Sequence, residues 1–227
     1  RDVAPSRGLG DVYKRQDRFE TFPAFSPDGR TLYFCSAEAK KIPEEYKEIR
    51  YNLCSIDFDP SAGTFGSRID TLVNAEALGK SVSFPRPSYD GKYIMFTLSD
   101  YGNFSIWHKE ANLWLLDLTS GDLRELSEVN SDDTESFHNW SSNSRWFVFS
   151  SRRGDGLYTR LYLASMDENG KISKPFLLPK EDPETYYDRS VYSYNVPDFV
   201  NAPILLDTKV FEKRITSKER IQVQVGN

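Results

Sequence analysis

A short turn-and-strand unit occurs three times in this chain, and it limits the possible folds more than any other feature. Its copies read FPAFSPDGRTLYFCS at 22–36, FPRPSYDGKYIMFTL at 84–98 and FHNWSSNSRWFVFSS at 137–151. Each copy begins with Phe, passes through a four-residue turn and enters a strand-like run that starts at Arg or Lys. The serine, proline and glycine of the first turn are residues that a type I turn favours. The sequence therefore predicts three β-hairpins of one design, the third degenerate because Ser144 stands where the others have glycine.

Two further strand-like runs follow each hairpin. The third run of each unit reads NLCSIDF, NLWLLDL or RLYLASM, and the weaker fourth run reads SRIDTLV, DLREL or PFLLP. A turn signal separates the third run from the fourth in every copy, Asn-Gly being the strongest of the three. Four short antiparallel strands per unit, repeated with glycine and aromatic punctuation, are typical of β-propeller blades. The aromatic content of 14% agrees with a sheet protein.

The repeated residues also carry a family resemblance. The FSPDG turn, the Ser-Asp-Tyr-Gly loop at 99–102 and the NLWLLDL run resemble the TolB-type, WD-like propeller repeat. The resemblance spans about residues 17–180 and is nearest to envelope proteins of Bacteroidales-type bacteria. It implies an all-β fold with about three blades of an incomplete ring, and a chain that is a C-terminal fragment of a longer protein.

The domain organisation follows from the repeat. Residues 1–16 resemble translated adapter sequence and are set aside as non-native, so we expect the natural N-terminus and any signal peptide to lie outside this sequence. Residues 17–207 are assigned to blades, at about 17–80, 81–133 and 134–180, followed by a partial blade or an exit segment. The basic tail at 208–227 ends in IQVQV, which fits either a ring-closing strand or the start of another domain.

Composition excludes several functions. The net charge of -5 argues against a nucleic-acid partner, which would need a basic face. No apolar run approaches the roughly 18 residues of a membrane span. Cys35 and Cys54 lie in strand-like runs of one unit, so both a cross-strand disulfide and two buried thiols fit the sequence.

No catalytic residue, metal ligand or cofactor is predicted. The sequence contains no Gly-x-Ser-x-Gly pentapeptide, which a prolyl oligopeptidase-type catalytic domain would need. The acidic stretch at 131–136 lacks the glycine of a calcium loop, and we interpret it as a solvated connector. His138 opens a first strand, where either a channel-lining ligand or a hydrogen-bonded structural role is consistent with the sequence.

Binding residues are sought where the copies differ, because loops on a rigid scaffold usually carry specificity. These places are the insertions at 37–50 and 99–111 and the loop that begins at Arg152. The candidate binding residues are Tyr101, Trp107, His108, His138, Arg152 and Arg153. Residues fixed by the repeat, including its recurrent aromatic side chains, are expected to pack blade against blade rather than to contact a ligand.

The resemblance implies a non-catalytic scaffold that binds protein partners in the bacterial cell envelope, either periplasmic or associated with the outer membrane. Two alternatives stay open. The chain could be the propeller of a prolyl oligopeptidase-type serine peptidase whose catalytic domain lies elsewhere, or a propeller that binds a small ligand or a glycan.

Overall fold

The computed structural model describes residues 18–203, 205 and 207–217. It contains three four-stranded antiparallel sheets, each formed by four strands that are consecutive in the chain. This arrangement confirms the predicted fold class of β-propeller blades, and the three blades do not close a ring within the described residues. The adapter-like segment at 1–16 lies outside the described residues.

The strands of each blade pair in simple sequence order. Blade 1 consists of β1 Arg18–Phe25, β2 Thr31–Glu38, β3 Asn52–Asp59 and β4 Thr64–Val73. Blade 2 consists of β5 Ser81–Pro87, β6 Tyr93–Ser99, β7 Asn112–Asp117 and β8 Leu123–Glu125. Blade 3 consists of β9 Glu135–Trp140, β10 Trp146–Ser151, β11 Arg160–Ser165 and β12 Phe176–Leu177. Three short 3₁₀ helices lie in the connections, at Tyr46–Glu48, Glu76–Leu78 and Ser105–Trp107.

The predicted turns form as their residues require. In the first copy the Ser26 hydroxyl accepts hydrogen bonds from the backbone N–H groups of Arg30 and Thr31, and it donates one to Asp28. Gly29 closes the turn with a φ of 69°. Because that left-handed conformation costs an L-residue about 1–2 kcal/mol, glycine is the residue that suits it. Contacts between residues close in the chain therefore determine the repeated turn.

The third turn has an additional role that sequence inspection missed. Ser144 takes the glycine conformation with a φ of 57°, and its hydroxyl accepts a hydrogen bond of 2.9 Å from the Asp90 backbone N–H. That bond joins the turn of blade 3 to the turn of blade 2. At Ser144 the hydrogen bond between blades thus offsets the strain of the left-handed backbone.

Two substitutions at Ser144 should separate these effects. Ser144→Ala is expected to lower the free energy of unfolding by about 1 kcal/mol, because the inter-blade bond is lost while the backbone strain remains. Ser144→Gly loses the same bond but relieves the left-handed cost of about 1–2 kcal/mol, and should stay close to wild type. Urea unfolding of both variants measures the difference. Equal stabilities for alanine and glycine would contradict this assignment.

Alternation along the strands packs each blade against its neighbours. In β6, Ile94 and Phe96 face the blade 1 side chains Cys35 and Leu53, whereas Met95 faces blade 3. The second core joins Met95, Leu113 and Leu115 of blade 2 to Trp140, Phe147 and Phe149 of blade 3. Full burial of such side chains contributes about 1.5–3 kcal/mol each, so the blades stabilise one another.

Three phenylalanines of the repeat form an inner ladder, defined as Phe22, Phe84 and Phe137. Each lies at a β-bulge in the first strand of its blade and has a positive φ, of 53°, 53° and 51° respectively. The ring centroids of the first two are 4.3 Å apart, and those of the second and third are 4.9 Å apart. The bulges turn these rings out of the ordinary strand alternation so that they contact one another across blades.

The two cysteines are free thiols in the interior. Cys54 pairs with Phe34 across β2 and β3, whereas Cys35 pairs with Leu53, so the two thiols lie on opposite faces of the sheet. Burial is the largest cause that raises the pKa of each thiol. The alternative of two buried hydrophobic side chains is the one that the structure shows.

The segment after blade 3 contains no strand among the described residues. It forms helix α1 at Pro183–Arg189, an irregular stretch, and helix α2 at Thr208–Thr216. This favours an exit segment over a partial blade. The first part of the basic tail is therefore helical, with Asp207 capping the start of α2 at Lys209 N–H. The IQVQV run lies outside the described residues, so a ring-closing strand there stays a prediction.

The irregular stretch crosses the face of blade 3 that points away from blade 2. Ser150 alternates with the core residue Phe149, so its hydroxyl lies on that far face, where it donates a hydrogen bond of 2.9 Å to the Asn195 carbonyl. The Asn139 amide, paired with the same strand, donates one of 3.1 Å to Asp198.

No helix of the described residues is long and apolar enough to cross a membrane.

Candidate binding site on the loop face

The connections between strands divide into two opposite ends of the blades. Because consecutive strands are antiparallel, the loops between second and third strands lie at the same end as the connections between blades. We call this end the loop face, and it comprises residues 39–51, 74–80, 100–111, 126–134 and 152–159. The repeated turns, such as the one at Gly29, lie at the opposite end, the turn face. All the unequal loops singled out in the sequence therefore meet at the loop face.

The insertion of blade 2 is held rigidly against blade 1. The Gly102 backbone N–H donates a hydrogen bond of 2.9 Å to Ile49 O, and the Asn103 side chain donates one of 3.1 Å to Tyr46 O. A Cβ atom at position 102 would lie only 2.4 Å from atoms of the Tyr51 ring, so this close approach requires glycine. The loop is thus positioned by packing as well as by its ends.

Tyr101 and His108 lie together within this insertion. Their ring centroids are 4.1 Å apart, and the His108 Nδ1 atom lies 3.1 Å from the Glu110 carboxylate. His108 is buried, although its sequence neighbours Lys109 and Glu110 are charged. These contacts occupy the imidazole within the loop, so the pair supports the loop conformation rather than an open surface.

Trp107 and Arg152 are brought together by the structure, although they belong to different blades. The guanidinium carbon of Arg152 lies 4.4 Å from the centroid of the Trp107 ring, a cation–π arrangement. The arginine is 8% exposed and the tryptophan is 67% exposed. Both line a cavity of about 260 Å³, whose other walls include Phe137, Leu157 and Tyr194.

A second cavity, of about 280 Å³, lies further along the inner ladder. Its walls include Phe22, Phe84 and Phe104. Phe104 directly precedes the 3₁₀ helix Ser105–Trp107, and its carbonyl accepts a backbone hydrogen bond of 2.8 Å from Trp107. The inner ladder thus forms part of the walls of both cavities. Repeat residues were expected to pack blade against blade rather than to contact a ligand. The ladder packs across blades as expected, and its rings also line the two cavities.

Arg153 is engaged by a buried carboxylate. Its guanidinium lies 2.8 Å from Glu135, which is 0% exposed and also accepts hydrogen bonds from the hydroxyls of Ser131 and Ser151. Arg153 also donates to the Val129 carbonyl. Burial is the largest effect on the pKa of Glu135 and raises it, while Ser131 and Arg153 partly offset that rise. Arg153 is therefore placed in a structural network and not in the cavity.

The interpretation of the acidic stretch at 131–136 as a solvated connector is wrong for its second half. Thr134, Glu135 and Ser136 are fully buried, because this part of the chain enters β9 between blades 2 and 3. Within the described part of the chain, no group of three or more His, Cys, Asp or Glu side chains is placed to hold a metal ion.

His138 does not line an open channel. The residue is 1% exposed, and its Nε2–H donates a hydrogen bond of 2.9 Å to Met95 O of the neighbouring blade. Burial is the main cause that lowers the pKa of His138 to about 3. The structural alternative is the one that the geometry favours, because a ligand at the loop face has no access to this ring.

Of the six candidate residues, the structure thus places Trp107 and Arg152 at one accessible cavity. Sequence reasoning missed their partners Phe137, Leu157 and Tyr194. Leu157 gave a weak signal, because it is an apolar residue in an otherwise polar loop. Tyr194 gave none, because it lies far along the chain in a segment without a repeat pattern.

Fold and site together define the class: four-stranded antiparallel blades of the β-propeller kind, with an aromatic and cationic site where their unequal loops meet. TolB from Acinetobacter baumannii is similar in structure, with 20% sequence identity and a TM-score of 0.42 over 69% of this chain and 32% of that one. The β-propeller domain of the Trilobed protease from Pyrococcus furiosus is also similar, with 16% identity and a TM-score of 0.42 over 73% of this chain and 44% of that one.

A puromycin-hydrolyzing peptidase from Mycobacterium tuberculosis is a third similar structure, with 16% identity and a TM-score of 0.49 over 72% of this chain and 24% of that one. The chain therefore spans less than half the length of each of these proteins. At these identities the likeness concerns the fold alone. No protein-family model and no curated protein sequence matches the chain.

Proposed function

We propose that this protein is a non-catalytic β-propeller scaffold that binds a protein partner in the bacterial cell envelope through its loop face. The observation that carries the proposal is the exposure of large apolar side chains on anchored loops. Phe104 is 79% exposed, Trp107 is 67% exposed and Leu157 is 66% exposed. Exposed apolar groups that share one surface mark interaction sites more often than scattered ones do.

The three side chains belong to one continuous strip. Phe104 lines the cavity beside Phe84, whereas Trp107 and Leu157 line the cavity beside Phe137. Since Phe84 and Phe137 are in contact, the strip runs unbroken from blade 2 to blade 3 along the inner ladder. Aromatic residues and arginine are enriched in protein interfaces, and Arg152 under Trp107 adds the cationic element.

Rigidity of the strip also supports binding. The hydrogen bonds of Gly102 and Asn103 and the tight approach of Tyr51 hold the insertion in one position. A preformed surface loses less conformational entropy when a partner binds. A non-catalytic scaffold accounts for both histidines, since His108 contacts Glu110 within its loop and His138 bonds to Met95 O of the neighbouring blade. The envelope location is supported by the TolB-type sequence resemblance.

A photo-crosslinking amino acid placed at residue 107 should test the proposal in cells that express the full-length protein. Irradiation is expected to give a discrete, protease-sensitive adduct, since Trp107 lies in the middle of the apolar strip. The matched control is the same crosslinker at Tyr89, an exposed aromatic residue of the turn face, which should give no such adduct. Adducts of equal yield from both positions, or none from residue 107, would contradict the proposed binding face.

A further inference from the structure

We infer that the cavity between blades 2 and 3 is a carboxylate-recognition pocket, which holds a ligand carboxylate on Arg152 and an apolar side chain of the same ligand against Trp107, Leu157 and Phe137. The inference deepens the proposed function, and it rests on that function only where the carboxylate is the C-terminus of a protein partner. A free apolar carboxylic acid offers the same chemistry.

The charge balance of three neighbouring arginines singles out Arg152. Arg153 forms a salt bridge of 2.8 Å with Glu135, and Arg160 lies 3.7 Å from Asp155. Arg152 forms no salt bridge with any residue that the structure describes. Its recorded hydrogen bonds go to carbonyl oxygens, of Ile106 at 3.5 Å and of Gly156. Asp155 pairs with Arg160 and is influenced by the Arg152 charge only beyond salt-bridge distance. Arg152 is thus a cation at a cavity wall without a directly paired carboxylate among the described residues.

The surroundings make the lack of a directly paired carboxylate significant. Arg152 is nearly buried, and its Nε atom has no hydrogen-bond partner within the described residues. Removing a charge from water is costly unless it is paired, so an anion entering the cavity would gain a strong partner. The planar guanidinium fork matches a carboxylate with two parallel hydrogen bonds, which fixes the orientation of the ligand.

The remaining walls define the other half of the ligand. Trp107, Leu157 and Phe137 contribute apolar surface to the lining of the cavity. A volume of about 260 Å³ lies just below the range of roughly 300–1,000 Å³ usual for small-molecule pockets, so the space suits one amino-acid-sized group. The exit segment completes the wall with Tyr194, whose backbone is fixed by hydrogen bonds with Thr159.

Binding of two closely matched probes to the purified protein tests the inference. N-acetylphenylalanine carries the carboxylate, whereas N-acetylphenylalanine amide has the same ring without the charge. We expect the acid to bind at least tenfold more tightly than the amide, measured by chemical-shift titration of the tryptophan indole resonances. Arg152→Gln should remove that preference, and Arg152→Lys should retain part of it.

Two controls keep the result interpretable. Arg68→Gln removes an arginine whose side chain is 85% exposed on blade 1 and should leave binding unchanged. If Arg152→Gln does not fold, Trp107→Ala serves instead, because this exposed side chain can be removed without a loss of core packing, and we expect it to weaken the acid at least tenfold. Equal affinities for acid and amide, no binding of either probe, or indifference to both substitutions would overturn the inference.

A peptide of six residues that ends in phenylalanine separates the two sources of the carboxylate. Binding at least tenfold tighter than the free acid would support the C-terminus of a partner, and equal binding would support a small acid; both outcomes uphold the pocket. Failure of the pocket is distinguishable from failure of the proposed function. A protein adduct at residue 107 without a preference for the carboxylate would contradict only the carboxylate pocket. A preference for the carboxylate without any adduct would contradict only the scaffold proposal.

Discussion

Replacing Arg153 by methionine is expected to lower the free energy of unfolding by about 3–5 kcal/mol, because it leaves the Glu135 carboxylate buried without its cation. Glu135 is 0% exposed and the arginine side chain is 19% exposed, so neither charge is well solvated in the native protein. The hydroxyls of Ser131 and Ser151 remain as donors but carry no charge. Chemical unfolding of the two proteins measures the loss.

A second substitution shows whether the unpaired charge is the cause. The double variant Arg153→Met, Glu135→Gln removes both charges, and its glutamine can still accept hydrogen bonds from the two serines, so we expect most of the lost stability to return. Arg145→Met is the matched control, since that guanidinium is 54% exposed at 3.8 Å from Glu168 and should cost less than about 1 kcal/mol. If Arg153→Met lost no more stability than Arg145→Met, the buried ion pair would not be a source of stability.

The loss should also depend on pH in a defined direction. Burial raises the pKa of Glu135 above its ordinary value of 4.5, and removing Arg153 raises it further because one opposing effect is lost. A carboxyl with a raised folded pKa binds more protons in the native state, so its destabilising effect grows as the pH rises above 4.5. The deficit of Arg153→Met relative to wild type should therefore be larger at pH 8 than at pH 5.

His138 should have the opposite pH dependence to Glu135, because acidification rather than alkalinisation destabilises the protein through this residue. Its pKa falls from 6.5 to about 3 on folding, chiefly because of burial, so the unfolded chain binds a proton that the native protein excludes. The stabilising contribution is fully present above pH 6.5 and is lost as the pH falls towards 3. Each pH unit by which the pH falls within this window lowers the free energy of unfolding by about 1.4 kcal/mol.

The variant His138→Gln isolates this contribution, because its amide can still donate to Met95 O but does not titrate in this range. Between pH 7 and pH 5, wild type is expected to lose about 2 kcal/mol more than the variant. Parallel pH profiles of unfolding for the two proteins would show that the ring is accessible to protons in the folded state. That result would also reopen the channel-lining role.

Local chemistry explains which parts of the fold could be predicted from the sequence. Turns such as Ser26–Gly29 and the apolar run of β6 are set by residues close in the chain, so the hairpins and their repetition could be predicted. The burial of Glu135 could not be predicted, because it depends on Ser151 and Arg153, which the packing of a separate segment brings to the carboxylate, as well as on the nearby Ser131. A polar sequence alone cannot distinguish a solvated connector from a satisfied internal network.

The candidate site was predictable only in part for the same reason. The rule that unequal loops carry specificity pointed correctly to Trp107 and Arg152 as residues of the loop face. It could not show that they meet across two blades, or that Tyr194 of the exit segment completes their cavity. The helix at Thr208–Thr216 arises from an Asp207 cap in a short basic segment, a signal outweighed in the sequence by the alternating IQVQV run.

The central claim is that the repeat folds the protein while the apolar strip on its loop face binds the partner. The most direct measurement combines the double variant Phe104→Ser, Trp107→Ser with a crosslinker at residue 157. We expect the free energy of unfolding to stay within about 0.5 kcal/mol of wild type, because both side chains are exposed, and the adduct to disappear. An undiminished adduct in this folded variant would contradict the claim.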